Sequence, residues 1–237
     1  MIKVAVIAGT PVDTQMGVNF LRDRNRELDE PVVEPLYYPV SESCDAQILF
    51  QYSEEEEKLH QMNRLFDAAI REGAEDFFIY CNSLSGAFDF DTYAQRRNVR
   101  VYTPLQVYRE LGRRFMRVGV MAANNLSAYG IEKSLMEYNE NLYMIGTGNM
   151  AVVRGIEDQM PASEMVETFG LNHLVRYMEA SGCEALVLGC THFPYLREEL
   201  QKCCRIPLID PAEEMFDRMI EQHRNIQRTD WQQEDRP

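Results

Sequence analysis

The sequence is poor in positive charge. Lys and Arg number 24 against 38 Asp and Glu, for a formal charge of -14. A nucleic-acid binder normally presents a basic face, so no nucleic-acid partner is expected. An acidic chain can still hold a small donor-rich pocket. Long hydrophobic runs are missing as well. No stretch approaches the roughly 18 apolar residues that cross a bilayer, so no membrane partner is expected. The opening Met1-Ile2-Lys3-Val4-Ala5-Val6-Ile7-Ala8 is too short in its apolar part for a secretory leader and reads as a buried strand. A cytoplasmic protein is the expectation, and its six cysteines (44, 81, 183, 190, 203 and 204) are then expected as reduced thiols. Glycine-rich nucleotide loops are also lacking. The turn Ala8-Gly9-Thr10-Pro11 holds one glycine and not G-x-G-x-x-G, and no other cofactor motif is present, so no cofactor is expected. Cys183, Cys190, His192, Cys203 and Cys204 could be drawn as a zinc cluster, but their spacing fits no paired C-x2-C pattern, and no metal is expected. A phosphate loop after Cys190 is equally unsuited, because Phe193, Pro194, Tyr195 and Leu196 stand before Arg197 and make a poor cradle.

What is present is a 237-residue chain, 45% hydrophobic, enough for one large or two small packed domains. Strand-like and helix-like patterns alternate through residue 223, the signature of a parallel α/β fold. The order occurs twice. Lys3-Val4-Ala5-Val6-Ile7-Ala8 matches Arg117-Val118-Gly119-Val120-Met121-Ala122 at an offset of 114 (117 minus 3). The helix ends at Gly73 and Gly182, Cys81 and Cys190, and Pro104 and Pro211 follow at offsets of 109, 109 and 107. The repeat predicts two pseudo-symmetric lobes, each a mainly parallel sheet flanked by helices, with the active site in the cleft between them. Residues 1–101 plus 212–237 are expected in the first lobe and 102–211 in the second. The segment after Pro211 is expected to pack back on the first lobe, and the tail from Arg224 to fray. Ser53-Glu54-Glu55-Glu56-Glu57 reads as a capped, acidic helix start.

Cys81 ends Asp76-Phe77-Phe78-Ile79-Tyr80 and opens Asn82-Ser83; Cys190 ends Ala185-Leu186-Val187-Leu188-Gly189 and opens Thr191-His192. Each is an apolar strand that stops at a thiol and turns into helix-capping residues. Open α/β sheets bind ligands at that carboxyl edge. A helix start there is expected to lower the thiol pKa. Asn82, Ser83, Thr191 and His192 add donors that could hold a carboxylate, and His192 could relay a proton. Gly9 and Thr10 after the first strand, with Asn124 and Ser127 at the matching place in the second lobe, complete the candidate binding loops. Cys44, Cys183, Cys203 and Cys204 read as small buried hydrophobes, and His60, His173 and His223 as ordinary helical residues.

Tyr80-Cys81-Asn82-Ser83 and Leu188-Gly189-Cys190-Thr191-His192-Phe193-Pro194-Tyr195-Leu196 resemble the paired signatures of the aspartate/glutamate racemase family. With the duplicated strands, the resemblance covers residues 1 to about 220. It implies a cofactor-independent amino-acid racemase of two α/β lobes. Cys81 and Cys190 are then the two bases, and Asn82, Ser83, Thr191 and His192 surround an acidic amino-acid substrate. Inverting a stereocentre calls for a base on one face and an acid on the other, and two opposed thiols meet that need. Three departures bear on substrate and assistance. Glutamate racemases carry an Asp-Ser pair after the first strand where this chain has Gly9-Thr10, so either an acidic helper is missing or Asp13 supplies it. Ser83 stands for a threonine, and Asn124-Asn125-Leu126-Ser127 lacks the threonines common there. His192 is glutamate-like, while the first loop and short length are aspartate-like. The alternatives are a racemase or isomerase of another small carbon acid, and a ligand-binding protein that has lost turnover. A homodimer is a possible assembly, from how often such enzymes pair.

Overall fold

The computed structural model describes the backbone of residues 1–234 and the side chains through residue 226. Residues 235–237, expected in the first lobe, lie outside the described residues. Among the described residues eight strands form two parallel sheets: β1 (Ile2–Ala8), β2 (Val33–Pro39), β3 (Asp76–Ile79) and β4 (Arg100–Tyr102) in the order β2-β1-β3-β4, then β5 (Arg117–Ala122), β6 (Tyr143–Gly148), β7 (Ala185–Gly189) and β8 (Leu208–Ile209) in the order β6-β5-β7-β8. The second order is the first repeated, strand for strand, as the sequence offsets implied. The central strands β3 and β7 are buried throughout, as expected for strands covered by helices on both faces.

In each sheet the chain goes to one side from its first strand and then returns to the other. The reversal places a crevice at the carboxyl ends of β1 and β3, and of β5 and β7, which is where open α/β sheets take ligands. Gly9 and Cys81 follow the first pair, Ala123 and Cys190 the second.

Helices complete the layers. Thr10 caps the helix Pro11–Arg26 with Pro11 at its first position, where the missing N–H costs nothing. Asn124 caps Asn125–Met136 in the same way at the equivalent place, its Oδ1 accepting Ser127 N–H at 2.8 Å. Thr103 and Gln106 form a reciprocal capping box on Pro104–Arg114. Ser53 differs from the expectation. It ends the helix Cys44–Tyr52, its hydroxyl donating to Phe50 O at 3.0 Å, and the next helix, Glu55–Arg71, has no side-chain cap.

Hydrophobic packing is continuous across the two sheets. One cluster runs from β1 and β3 through Leu84, Tyr108 and Leu111 to Val118, Ile131 and Leu135. Gly112 lies directly on the Leu135 carbonyl, and Gly86 and Gly130 bring two helices to close approach. A second cluster fills the far side of the β5–β8 sheet. Met215, Phe216, Met219 and Ile220 of the last helix, Pro211–Glu234, join the first cluster. The helix continues to Glu234, past the point where the sequence suggested fraying. His223 pairs with the buried Asp76 beneath β3, an ordinary structural histidine. Among the described residues no helix is long and apolar enough to cross a membrane.

Candidate active site

Cys81 and Cys190 line one cavity between the carboxyl edges of the two sheets, with Asn82 and Ser83 on one side and Asn124, Thr191 and His192 on the other. The sulfurs belong to residues only 4% and 7% exposed. The cavity leaves room for little more than one water-sized molecule. Gly9, Thr10 and Ser127 do not line it. Thr10 and Ser127 are spent on capping, and Gly9 lies behind Gln47.

Cys81 sits at the N-cap of the short helix Asn82–Ala87 and accepts Leu84 N–H at 3.4 Å. Gln47 Nε2 donates to its sulfur at 3.3 Å and to Ser83 Oγ at 2.7 Å, and Ser83 Oγ is 3.4 Å from the sulfur. Asn82 is held from behind by the Tyr108 hydroxyl. The lowered thiol pKa expected from the helix start is not what this environment gives. Burial pushes the Cys81 thiol up to about 12, with Asp13 adding to the rise, against the smaller opposite pull of Ser83 and Leu84. Removing water costs an anion more than one short helix returns.

Cys190 is built differently. The helix expected directly after it starts only at Phe193, as a tight turn, Phe193–Leu196, that runs into the short α-helix Arg197–Gln201. Its chemical neighbour is His192. Nδ1 lies 3.6 Å from the Cys190 sulfur and 3.1 Å from Asp13 Oδ1, while Nε2 lies 3.3 Å from Glu157 Oε1. Burial alone would lower this imidazole. Hydrogen bonds to Cys190 and Glu157, with the fields of Cys190 and Asp13, outweigh it and raise His192 to about 11.

Asp13 crosses the cleft. It occupies the position equivalent to Ser127 (127 minus 114 is 13), and it accepts the Thr191 hydroxyl at 3.1 Å. Burial raises its pKa, opposed by His192 and Thr191. A second link joins Cys44 to Glu157, with Sγ–Oε distances of 3.2 and 3.4 Å. The His192 hydrogen bond leads the lowering of Glu157. Burial, then Glu157, pushes Cys44 up to about 12.

The sequence therefore named the two thiols and their flanking residues but passed over Gln47, Gln51, Glu157 and the cavity position of Cys44. These come from the helices Cys44–Tyr52 and Met150–Glu157, each of which follows the outer strand of its sheet. Their signal was topological, since a repeated fold puts both helices at the same rim. The other cysteines fit the buried reading, Cys203 less fully. Among the described residues no three His, Cys, Asp or Glu side chains are grouped to hold a metal ion, so Cys183, Cys203 and Cys204 do not join Cys190 and His192 in a cluster.

Comparison with known proteins gives a consistent picture. The family model described as Asp/Glu/Hydantoin racemase matches residues 26–219. A glutamate racemase of Shewanella loihica is 46% identical over 54 residues, 23% of this chain and 20% of that protein. One of Clostridium acetobutylicum is 24% identical over 139 residues, 57% of this chain and 54% of that protein. The matches thus span from a fifth to about half the length of these relatives. In three dimensions the chain is similar to a Francisella tularensis glutamate racemase solved with D-glutamate, at TM-score 0.74 and 16% identity, covering 95% of this chain and 82% of that one. It is also similar to an aspartate racemase homologue from Pyrococcus horikoshii, at TM-score 0.66 and 22% identity, covering 93% and 98%. At these identities the structures speak for the fold.

Proposed function

The chain belongs to the Asp/Glu/hydantoin racemase family, and from that premise we propose that it racemises an acidic amino acid, glutamate or aspartate, with Cys81 and Cys190 as the paired proton-transfer groups. The observation that carries this reading is the meeting of both sulfurs at one cavity, each delivered by the reversal point of its own sheet.

The chemistry needs one group to remove the α-proton and another to deliver a proton from the opposite face. With its thiol raised to about 12, Cys81 holds its proton at neutral pH and is the donor in the resting state. Cys190, beside His192, is then the acceptor. Its sulfur takes the α-proton, the electron pair spreads into the α-carboxylate, and Cys81 S–H protonates the carbon from the far side. The reverse enantiomer runs through the same groups with roles exchanged. No further group is called on to store electrons or protons.

The side chains around the thiols suit the remaining tasks. Asn82, its Oδ1 held by the Tyr108 hydroxyl, turns its amide N–H to the α-carboxylate, where charge builds in the transition state. Asp13, which lines the cavity, is the carboxylate for the ammonium group. The narrow cavity excludes water from the carbanion, so admitting substrate requires its walls to part.

The test is α-proton exchange in D2O with each enantiomer of glutamate and aspartate. Label should enter both enantiomers without added pyridoxal phosphate or metal. Cys81→Ser and Cys190→Ser should each abolish racemisation while retaining at most slow exchange on one face. A single variant that racemises at the parent rate would remove the two-thiol assignment.

A further inference from the structure

Gln51 lines the cavity, belongs to a residue only 6% exposed, and its Oε1 meets no hydrogen-bond partner among the described residues. A buried amide left with an open end carries a desolvation cost that a bound group can relieve. The neighbouring amide on the same helix face is already engaged, because Gln47 donates to both Cys81 and Ser83. Gln51 stands four residues beyond it, about 6 Å along the helix.

The opposite wall is apolar. Cys44 contacts Glu157 and Asp45 approaches Arg154 at 3.7 Å. Gln51, Met150 and Val153 all line the cavity. The cavity thus offers the hydrocarbon of Met150 and Val153 together with one open amide. No Lys or Arg is among the described lining residues, and the lining imidazole of His192 is bonded to Asp13 and Glu157, so an end group at Gln51 would be met by an amide dipole. An Oε1 and an Nε2 exchange places by rotation of the amide, so the open end can serve as donor or acceptor.

Resting on the racemase reading above, we infer that Gln51 is the specificity residue of the site. The substrate side chain lies as methylenes between Gln51 and the Met150–Val153 wall and ends in a carboxyl or carboxamide bonded to the Gln51 amide. The α-substituents stay with the thiol loops, so Gln51 distinguishes side chains without touching the reacting carbon.

The test uses the full chain, its Gln51→Leu and Gln51→Glu variants, and glutamate, glutamine and alanine as probes. α-Proton exchange in D2O and calorimetric binding are measured for each pair. Gln51→Leu should lose about ten- to hundredfold in kcat/KM and in affinity for glutamate and glutamine, the scale of one buried hydrogen-bond partner. Alanine, which cannot reach the amide, should be unchanged. Gln51→Glu should lose glutamate by at least as much while retaining glutamine, which can donate to the new carboxylate. Equal losses on all three probes, or no loss on any, would overturn the assignment, and unchanged thermal melting excludes misfolding as the cause. If the parent exchanges no amino acid, the racemase reading is what fails. Binding then decides the subsite alone: weaker glutamate or glutamine binding in Gln51→Leu keeps it, and binding that is absent or indifferent to residue 51 ends it.

Discussion

Gly9→Ala should slow the reaction through a residue 38 positions away (47 minus 9). A methyl group on Gly9 would stand 2.5 Å from Gln47 Nε2 and 2.7 Å from Oε1, closer than any real contact, so the amide must leave. It is the end of a flexible side chain, and its departure costs little strain. What disappears are its bonds to Cys81 Sγ at 3.3 Å and Ser83 Oγ at 2.7 Å. The Ser83 bond is present in both protonation states of Cys81 and cancels. The sulfur bond does not, because a hydrogen bond to a charged group contributes about 1.5–3 kcal/mol against about 0.5–1.5 for a neutral one. The difference, about 1–1.5 kcal/mol, falls on the Cys81 thiolate and corresponds to about five- to twelvefold. Exchange in D2O should slow by that factor for the enantiomer whose α-hydrogen faces Cys81, with the other face little affected. Gln47→Leu should reproduce the loss, and the double variant should be no slower than either single one, since both remove the same bond. Losses that multiply would show that Gly9 acts by another route and refute the reasoning.

Three further outcomes follow from burial and packing. Alkylation of Cys81 by iodoacetamide, followed by peptide mass spectrometry, should be slow at pH 7 and keep rising toward about pH 12, where burial has moved the thiol; a plateau near pH 9 would contradict that. Asp210, raised to about 6 chiefly by burial, favours folding in its protonated form. Its contribution is full below about pH 3.8 and is lost as pH rises through 6. Asp210→Asn should therefore melt like the parent at pH 3.5 and above it at pH 7, with an amide still able to accept the Ala212 N–H bond of 3.0 Å; no gap at pH 7 would count against it. Gly112→Ala forces a methyl into the Leu135 carbonyl and should cost about 1–3 kcal/mol, read as a fall of several degrees in Tm by circular dichroism.

Much of the architecture could be read from the chain because the same signals occur twice. The runs at Lys3 and Arg117, the thiols at 81 and 190 and the prolines at 104 and 211 marked β1 and β5, β3 and β7, and the two closing helices. The thiol loops were legible for the same reason. Gln47, Gln51 and Glu157 were not, because they are ordinary polar helix residues until the sheet order turns their faces inward. Asp13 was noticed as a replacement acid, yet its reach to Thr191 and His192 across the cleft depends on how the lobes meet. The direction of the Cys81 shift failed for an energetic reason. Local sequence displays the helix start but not the depth of burial, and burial is the larger effect here.

The near-complete enclosure of both sulfurs has a consequence for successive turnovers. In the two-thiol mechanism each passage leaves the proton on the opposite sulfur, so the protein emerges primed for the mirror-image molecule and not for the one it has just consumed. Resetting requires an exchange of protons with bulk solvent, and with residues 81 and 190 only 4% and 7% exposed that exchange waits for the walls to part. On the proposed mechanism the freed protein would thus carry a short memory of its last product, held until those protons exchange.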